Sequence, residues 1–130
     1  MVLDSSAIIA IIAREPSASR LSAALDAADT RRISAASMVE ASMVLLGRRG
    51  PPSDRLLDQF VREINADIEP VTGTQAQIAR EAATRFGRGR HPAALNFGDC
   101  FSYALSIDAG EPLLFVGDDF SRTDVEVAPW

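Results

Sequence analysis

Short, uninterrupted apolar runs alternate with longer stretches of helical period along this chain, and that alternation predicts an α/β fold. Met1–Leu3 reads as a buried strand, followed from Ser5 to Ala13 by a helix-compatible apolar run. Pro16 opens a helix to about Ala28, and Arg31–Ala35 follows as a second strand. Ser37–Leu46 reads as a helix stopped near Gly47 and Gly50, and Ser53–Asn65 as another, with Ser53 as its N-cap. Asp67–Val71 gives a third strand, Thr74–Phe86 an amphipathic helix, residues 87–94 a loop rich in Gly, Arg and Pro, and Asn96–Ala109 a further helix. Leu113–Val116 is apolar throughout and so is expected to be a central strand, with Val125–Val127 as an edge strand before Pro129. This order predicts a three-layer α/β/α domain, single over residues 1–130, with a mainly parallel sheet of four to five strands.

Charge sharpens the pattern. From Met1 to Ala13 the only charged side chain is Asp4, from Ile33 to Gly47 it is Glu40, and from His91 to Ile107, the lone histidine aside, it is Asp99. A fourth acidic site, Asp118 and Asp119, follows directly on the apolar run 112–117. Carboxylates enter apolar surroundings only when something compensates them. Two of them about 4 Å apart repel by roughly 4 kcal/mol at an effective dielectric near 20, so a converging set needs a cation or protons. Asp4 and Asp118 each follow a strand, at the carboxyl edge where α/β sheets build their sites, and helices carrying Glu40 and Asp99 can aim at the same edge. Capping competes at each position: Ser37-x-x-Glu40 and Asn96-x-x-Asp99 both match capping boxes, and Asp4 or Asp118 suits an N-cap. Capping does not explain why all four lie in uncharged surroundings at one edge, so the joint pattern predicts a divalent-metal site.

Composition removes alternatives. The net charge is -5, yet residues 1–107 balance 12 Arg against 12 acids, so the excess lies wholly in residues 108–130. All 13 basic residues are Arg, which excludes Walker-type loops, receiver domains and Schiff-base chemistry that need a lysine. One cysteine, Cys100, rules out an intrachain disulfide and a thiolate zinc site, fits a cytoplasmic setting, and reads as a small core residue. Nothing reads as a membrane span, and Asp4 with no preceding basic residue argues against a signal peptide. Oxygen-only ligands select magnesium, with manganese as a substitute, and such ions suit phosphodiester hydrolysis. A haloacid-dehalogenase-like phosphatase would need an Asp where Ser6 stands.

Val2-Leu3-Asp4-Ser5-Ser6-Ala7, the Ser37-x-x-Glu40 helix start, Asn96-Phe97-Gly98-Asp99-Cys100-Phe101 and Gly117-Asp118-Asp119-Phe120-Ser121-Arg122-Thr123-Asp124 together resemble the PIN-domain ribonucleases, and more narrowly the VapC toxins. The resemblance spans essentially the whole chain in order. It implies a magnesium-dependent endoribonuclease toxin, homodimeric, held inactive by a VapB-type antitoxin whose basic side chain reaches the acidic site. It also implies roles for residues: Asp4, Glu40 and Asp99 as the first three acids, with a metal-activated water between them, and Ser6 as the hydroxyl that orients water or substrate. The fourth acid stays open. Asp118 follows the strand sooner and is slightly favoured, whereas Asp119 matches the family's Asp-Phe.

The loop Arg85-Phe86-Gly87-Arg88-Gly89-Arg90-His91 holds no acid and is a candidate RNA rim, through Arg88, Arg90 and His91, with Phe86 or His91 available to stack on a base. The Ala-rich helices 16–28 and 37–46 are candidate antitoxin surfaces. The competing functions are a non-catalytic PIN-like binding module and a phosphoesterase acting on DNA or small phosphate esters.

Overall fold

A computed structural model describes all residues, Met1–Trp130. Four strands, β1 (Val2–Leu3), β2 (Arg32–Ser34), β3 (Asp67–Glu69) and β4 (Leu113–Leu114), form one sheet in the order β3-β2-β1-β4, and every pairing is parallel. Helices α1 (Ser5–Ile12) and α2 (Ala18–Asp26) join β1 to β2, α3 (Ala35–Arg49) and α4 (Ser53–Glu63) join β2 to β3, and α5 (Gly73–Phe86) and α6 (Phe97–Ala109) lead to β4. None of the helices is long and apolar enough to cross a membrane.

The period-two alternation of each strand divides the interior in two. Leu3, Ile33 and Leu114 point into a core built with α1, α2, α3 and α4, whereas Val2 and Leu113 point into a second core built with α5 and α6. The sheet is therefore the middle of three layers. Connections from β1 run out through β2 to β3, and the chain then returns past them to β4. The gap between β1 and β4 is thus the topological switch point, the place where parallel sheets open a crevice beyond their strand ends.

Three expectations are corrected. The run 113–116 is not central: β4 is the outer strand beyond β1, flanked only by a one-residue bridge from Leu113 to Val127, which is all that remains of the predicted strand 125–127. Its continuous apolarity reflects helices on both faces, and burial of that kind is indifferent to strand order. Ser37 does not cap α3. The N-cap is Ser34, whose hydroxyl accepts from the Ala36 amide, so Glu40 sits in the second turn and outside any capping box. Ser53 is the first helical residue of α4, donating to the Gly50 carbonyl, with Pro52 in the cap position.

α3 gives a direct test of this packing. Leu45 is fully buried and its neighbour Leu46 is 45% exposed. Leu45→Ala should lower unfolding free energy in urea by about 2–4 kcal/mol, and Leu46→Ala by under about 1 kcal/mol; equal losses would mean that α3 is rotated relative to the sheet.

Candidate active site

Asp4 leaves the end of β1 and is both the N-cap of α1 and a buried side chain, 2% exposed. Its Oδ2 accepts from the Ser6 amide at 2.9 Å and the Ser6 hydroxyl at 2.5 Å, and its Oδ1 accepts from the Ser102 hydroxyl at 2.7 Å. Ser102 lies 2.9 Å from the Ser37 hydroxyl. Because the Ser102 proton is committed to Asp4, Ser37 is the donor of that pair. Ser6 Oγ also accepts from the Val116 amide at 3.0 Å, which ties α1 to the chain leaving β4. No ion pair of the protein includes Asp4, Glu40, Asp99 or Asp119.

Asp99 sits in the first turn of α6 and does form the capping box: Asn96 accepts from the Asp99 amide at 3.1 Å, and Asp99 Oδ2 accepts from the Asn96 amide at 2.7 Å. Capping engages one of its oxygens and leaves the other without a protein donor. Its carboxyl titrates at about 6, raised chiefly by burial, opposed by the Asn96 amide, and raised further by the charges of Asp4, Glu40 and Asp119. Burial also pushes Glu40 up, the facing Ser5 hydroxyl offsets part of this, and the Asp4 charge adds to it. Glu40 Oε2 is buried with no hydrogen-bond partner.

These acids line one cavity of about 310 Å³ at the switch point, together with Ser5, Ser6 and Asn96. Proximity to the strand end favours Asp118, but of the two it is Asp119 that lines the cavity wall, which also carries Glu15 at its Arg48 pair. Gly117, at φ 111°, turns the chain out of the strand, and a single 3-10 turn at Phe120–Arg122 follows, so Asp118 lies off the wall. As the side chains stand, no three acids, cysteine or histidine included, make a ready ligand set for a metal. The chemistry of the donors nevertheless fits a hard divalent cation: all are oxygens, one is orphaned inside the protein, and Asp4 Oδ1 and Asp99 Oδ2, each accepting one hydrogen bond, keep a second lone pair.

Other candidates fall elsewhere. Arg88, Arg90 and His91 do not line the acidic cavity; His91 Nδ1 accepts from the Ala93 amide, and its ring meets Phe86 edge-on. Phe86 is buried against His91 and Tyr103 and has no face for a base. Arg85 instead pairs with Asp124, which also accepts from the Tyr103 hydroxyl. The arginine on the cavity wall is Arg48, held only by a solvent-exposed pair with Glu15 at 3.2 Å. Cys100 is buried, and that burial raises its thiol, as suits a core residue. The residues that sequence reasoning missed are Ser37, Ser102 and Arg48. The first two carried a signal, since Ser37 stands three residues before Glu40 and Ser102 three after Asp99, on the same helix faces.

The PIN domain family model matches residues 1–126, and the chain belongs to that family. VapC ribonuclease Mb0625 of Mycobacterium bovis and Ribonuclease VapC28 of Mycobacterium tuberculosis are each 52% identical to it over 129 residues, covering 98% of this chain and 97% of theirs. Ribonuclease VapC30 of Mycobacterium tuberculosis is 45% identical over 125 residues, covering 96% of this chain and 95% of its own. The crystal structure of Mycobacterium tuberculosis VapC20, a sarcin-ricin loop cleaving toxin, superposes with a TM-score of 0.78 over 98% of both chains at 19% identity, so the two share the fold. Within the PIN family, the chain is one of the VapC ribonucleases.

Asp99 binds its proton more tightly in the fold than at its ordinary value of 3.8, so its stabilising contribution is complete below that value and is lost as pH rises through about 6. Asp99→Asn should therefore stabilise the metal-free protein by about 2 kcal/mol at pH 7.5, with the gain vanishing near pH 4. Urea unfolding in EDTA at the two pH values measures this; a loss of stability at pH 7.5 would mean that the ionised carboxylate is favourably held.

Proposed function

We propose that the chain is a magnesium-dependent endoribonuclease toxin of a toxin-antitoxin pair, acting in the cytoplasm, with Asp4, Glu40, Asp99 and Asp119 as its metal and catalytic carboxylates. Manganese would substitute. The observation that carries the reading is the meeting of these four acids at one cavity, none of them in an ion pair, with one orphaned carboxylate oxygen.

When bound, the divalent ion lets the carboxylates coexist ionised, acidifies water and neutralises the phosphate under attack. Asp4 and Asp99 would hold it, with Asp119 as a further carboxylate from the same wall. Ser6 and Ser102 fix both oxygens of Asp4, so its carboxylate needs no reorganisation when the ion enters. That is a different task from the water or substrate orientation expected of Ser6, whose proton is already given to Asp4. The Glu40 carboxylate would accept the proton of the attacking water as its oxygen joins phosphorus and the bond to the leaving oxygen breaks, the leaving oxygen taking a proton from solvent.

RNA would reach this centre along a neighbouring surface. Asn96 lines both the acidic cavity and a neighbouring apolar groove of about 650 Å³ between α5 and α6. Phe97, 81% exposed, stands on that groove with Arg80 and Arg88, which offers a stacking face beside guanidinium forks. Arg88 therefore keeps a proposed place along the substrate path, whereas Arg90 and His91 lie on neither wall. Arg48 would meet phosphate from the opposite side. Along α3, Val39, Met43 and Leu46 form an exposed stripe at helical spacing, the surface we assign to a VapB-type antitoxin helix or to the second subunit of a homodimer.

Purified protein incubated with mixed RNA should cut it in magnesium or manganese and not in EDTA, with single-stranded DNA and nucleotide monophosphates turned over more slowly. Asp4→Asn and Asp99→Asn should each reduce cleavage by about 100-fold or more. Uncut RNA with wild type and Asp4→Asn alike would leave a binding module, and faster turnover of DNA or monophosphates would replace RNA as substrate. Asp119→Asn should lose activity comparably while Asp118→Asn stays near wild type; the reverse order would move the fourth ligand to Asp118.

A further inference from the structure

Gly98 is a glycine that its own backbone does not require. It is buried in the first turn of α6, in ordinary helical conformation, where alanine would be the better helix former. The reason for glycine lies across the interface with α3. A Cβ built at Gly98 would come within 2.3 Å of both Glu40 carboxylate oxygens and 2.4 Å of its carboxyl carbon. Gly87 would meet backbone, and Gly47, Gly73, Gly89, Gly110 and Gly117 would meet nothing within 4 Å. Gly98 is thus the position where a missing side chain makes room for an acidic one.

The room has a functional address. Glu40 reaches it from the second turn of α3, and its carboxylate then lies over the opening turn of α6, where amides without intrahelical acceptors favour negative charge. The adjacent residue is Asp99, and the same carboxylate carries the buried, unpartnered oxygen of the acidic cavity. We infer that Gly98 is a positioning residue: by lacking a Cβ it seats the Glu40 carboxylate at the depth where it shares the cavity with Asp4 and Asp99, and so sets the affinity of the site for a divalent ion. The inference rests on the reading of the cavity as a metal site, but the seat itself is a matter of packing and can be tested apart from it.

A double-mutant cycle tests both. Gly98→Ala should lower Tm in EDTA and weaken manganese binding by about tenfold in calorimetry. In the Glu40→Ala background, where the carboxylate no longer occupies the room, the same Gly98→Ala change should raise Tm and leave manganese affinity unaltered. A Gly98→Ala protein that fails to fold while the double variant folds supports the seat equally. Equal effects of Gly98→Ala in both backgrounds would overturn it. Should wild type bind no manganese, the metal reading fails and the positioning inference with it; the opposite Tm responses would then still record the steric seat, so the two failures remain distinguishable.

Discussion

A carboxylate buried at the end of the first strand, with no cation paired to it, is the constraint on which the site depends. Asp4 is held by the Ser6 amide and hydroxyl and by the Ser102 hydroxyl, and Ser102 is in turn held by Ser37. This chain of hydroxyls joins β1, α6 and α3. Ser102 stands one turn after Asp99 and Ser37 one turn before Glu40, so satisfying the buried Asp4 also registers the two helices that bring the other acids. Ser6 performs the same service toward β4 by accepting from the Val116 amide just before the turn that presents Asp119.

The arrangement works against stability. Asp99 resists ionisation until about pH 6, Glu40 is displaced in the same direction, and one Glu40 oxygen is buried without a partner. A core selected only for stability would replace these groups with apolar residues, as most of the interior does. Concentrated, uncompensated acidity at the topological switch point is what a site for a doubly charged ion requires, and the Gly98 seat extends the same logic to a backbone position.

Much of this was legible in the sequence, for identifiable reasons. Asp4, Glu40 and Asp99 stood out because each was the sole charge in an apolar stretch, and burial of a charge is the rarer event. The parallel α/β order followed from alternation of period. The outer position of β4 was not legible, because helices on both faces make an outer strand as apolar as a central one. The α3 cap was misplaced because Ser34 and Ser37 both satisfy capping chemistry, and only the end of β2 chooses between them. Which of Asp118 and Asp119 faces the cavity is set by the turn at Gly117 that precedes both, and composition does not encode its direction. Arg48 is distant in sequence from the arginine-rich loop, and the loop drew attention by density alone.

The central claim is that Asp4 and Asp99 together hold a divalent ion beside Glu40. Anomalous scattering from crystals soaked in manganese tests it most directly. The account predicts a single strong peak, or a close pair, within coordination distance of the Asp4 and Asp99 carboxylates, lost in the Asp4→Asn protein. Manganese bound away from both residues, in crystals of protein that still cleaves RNA, would contradict it.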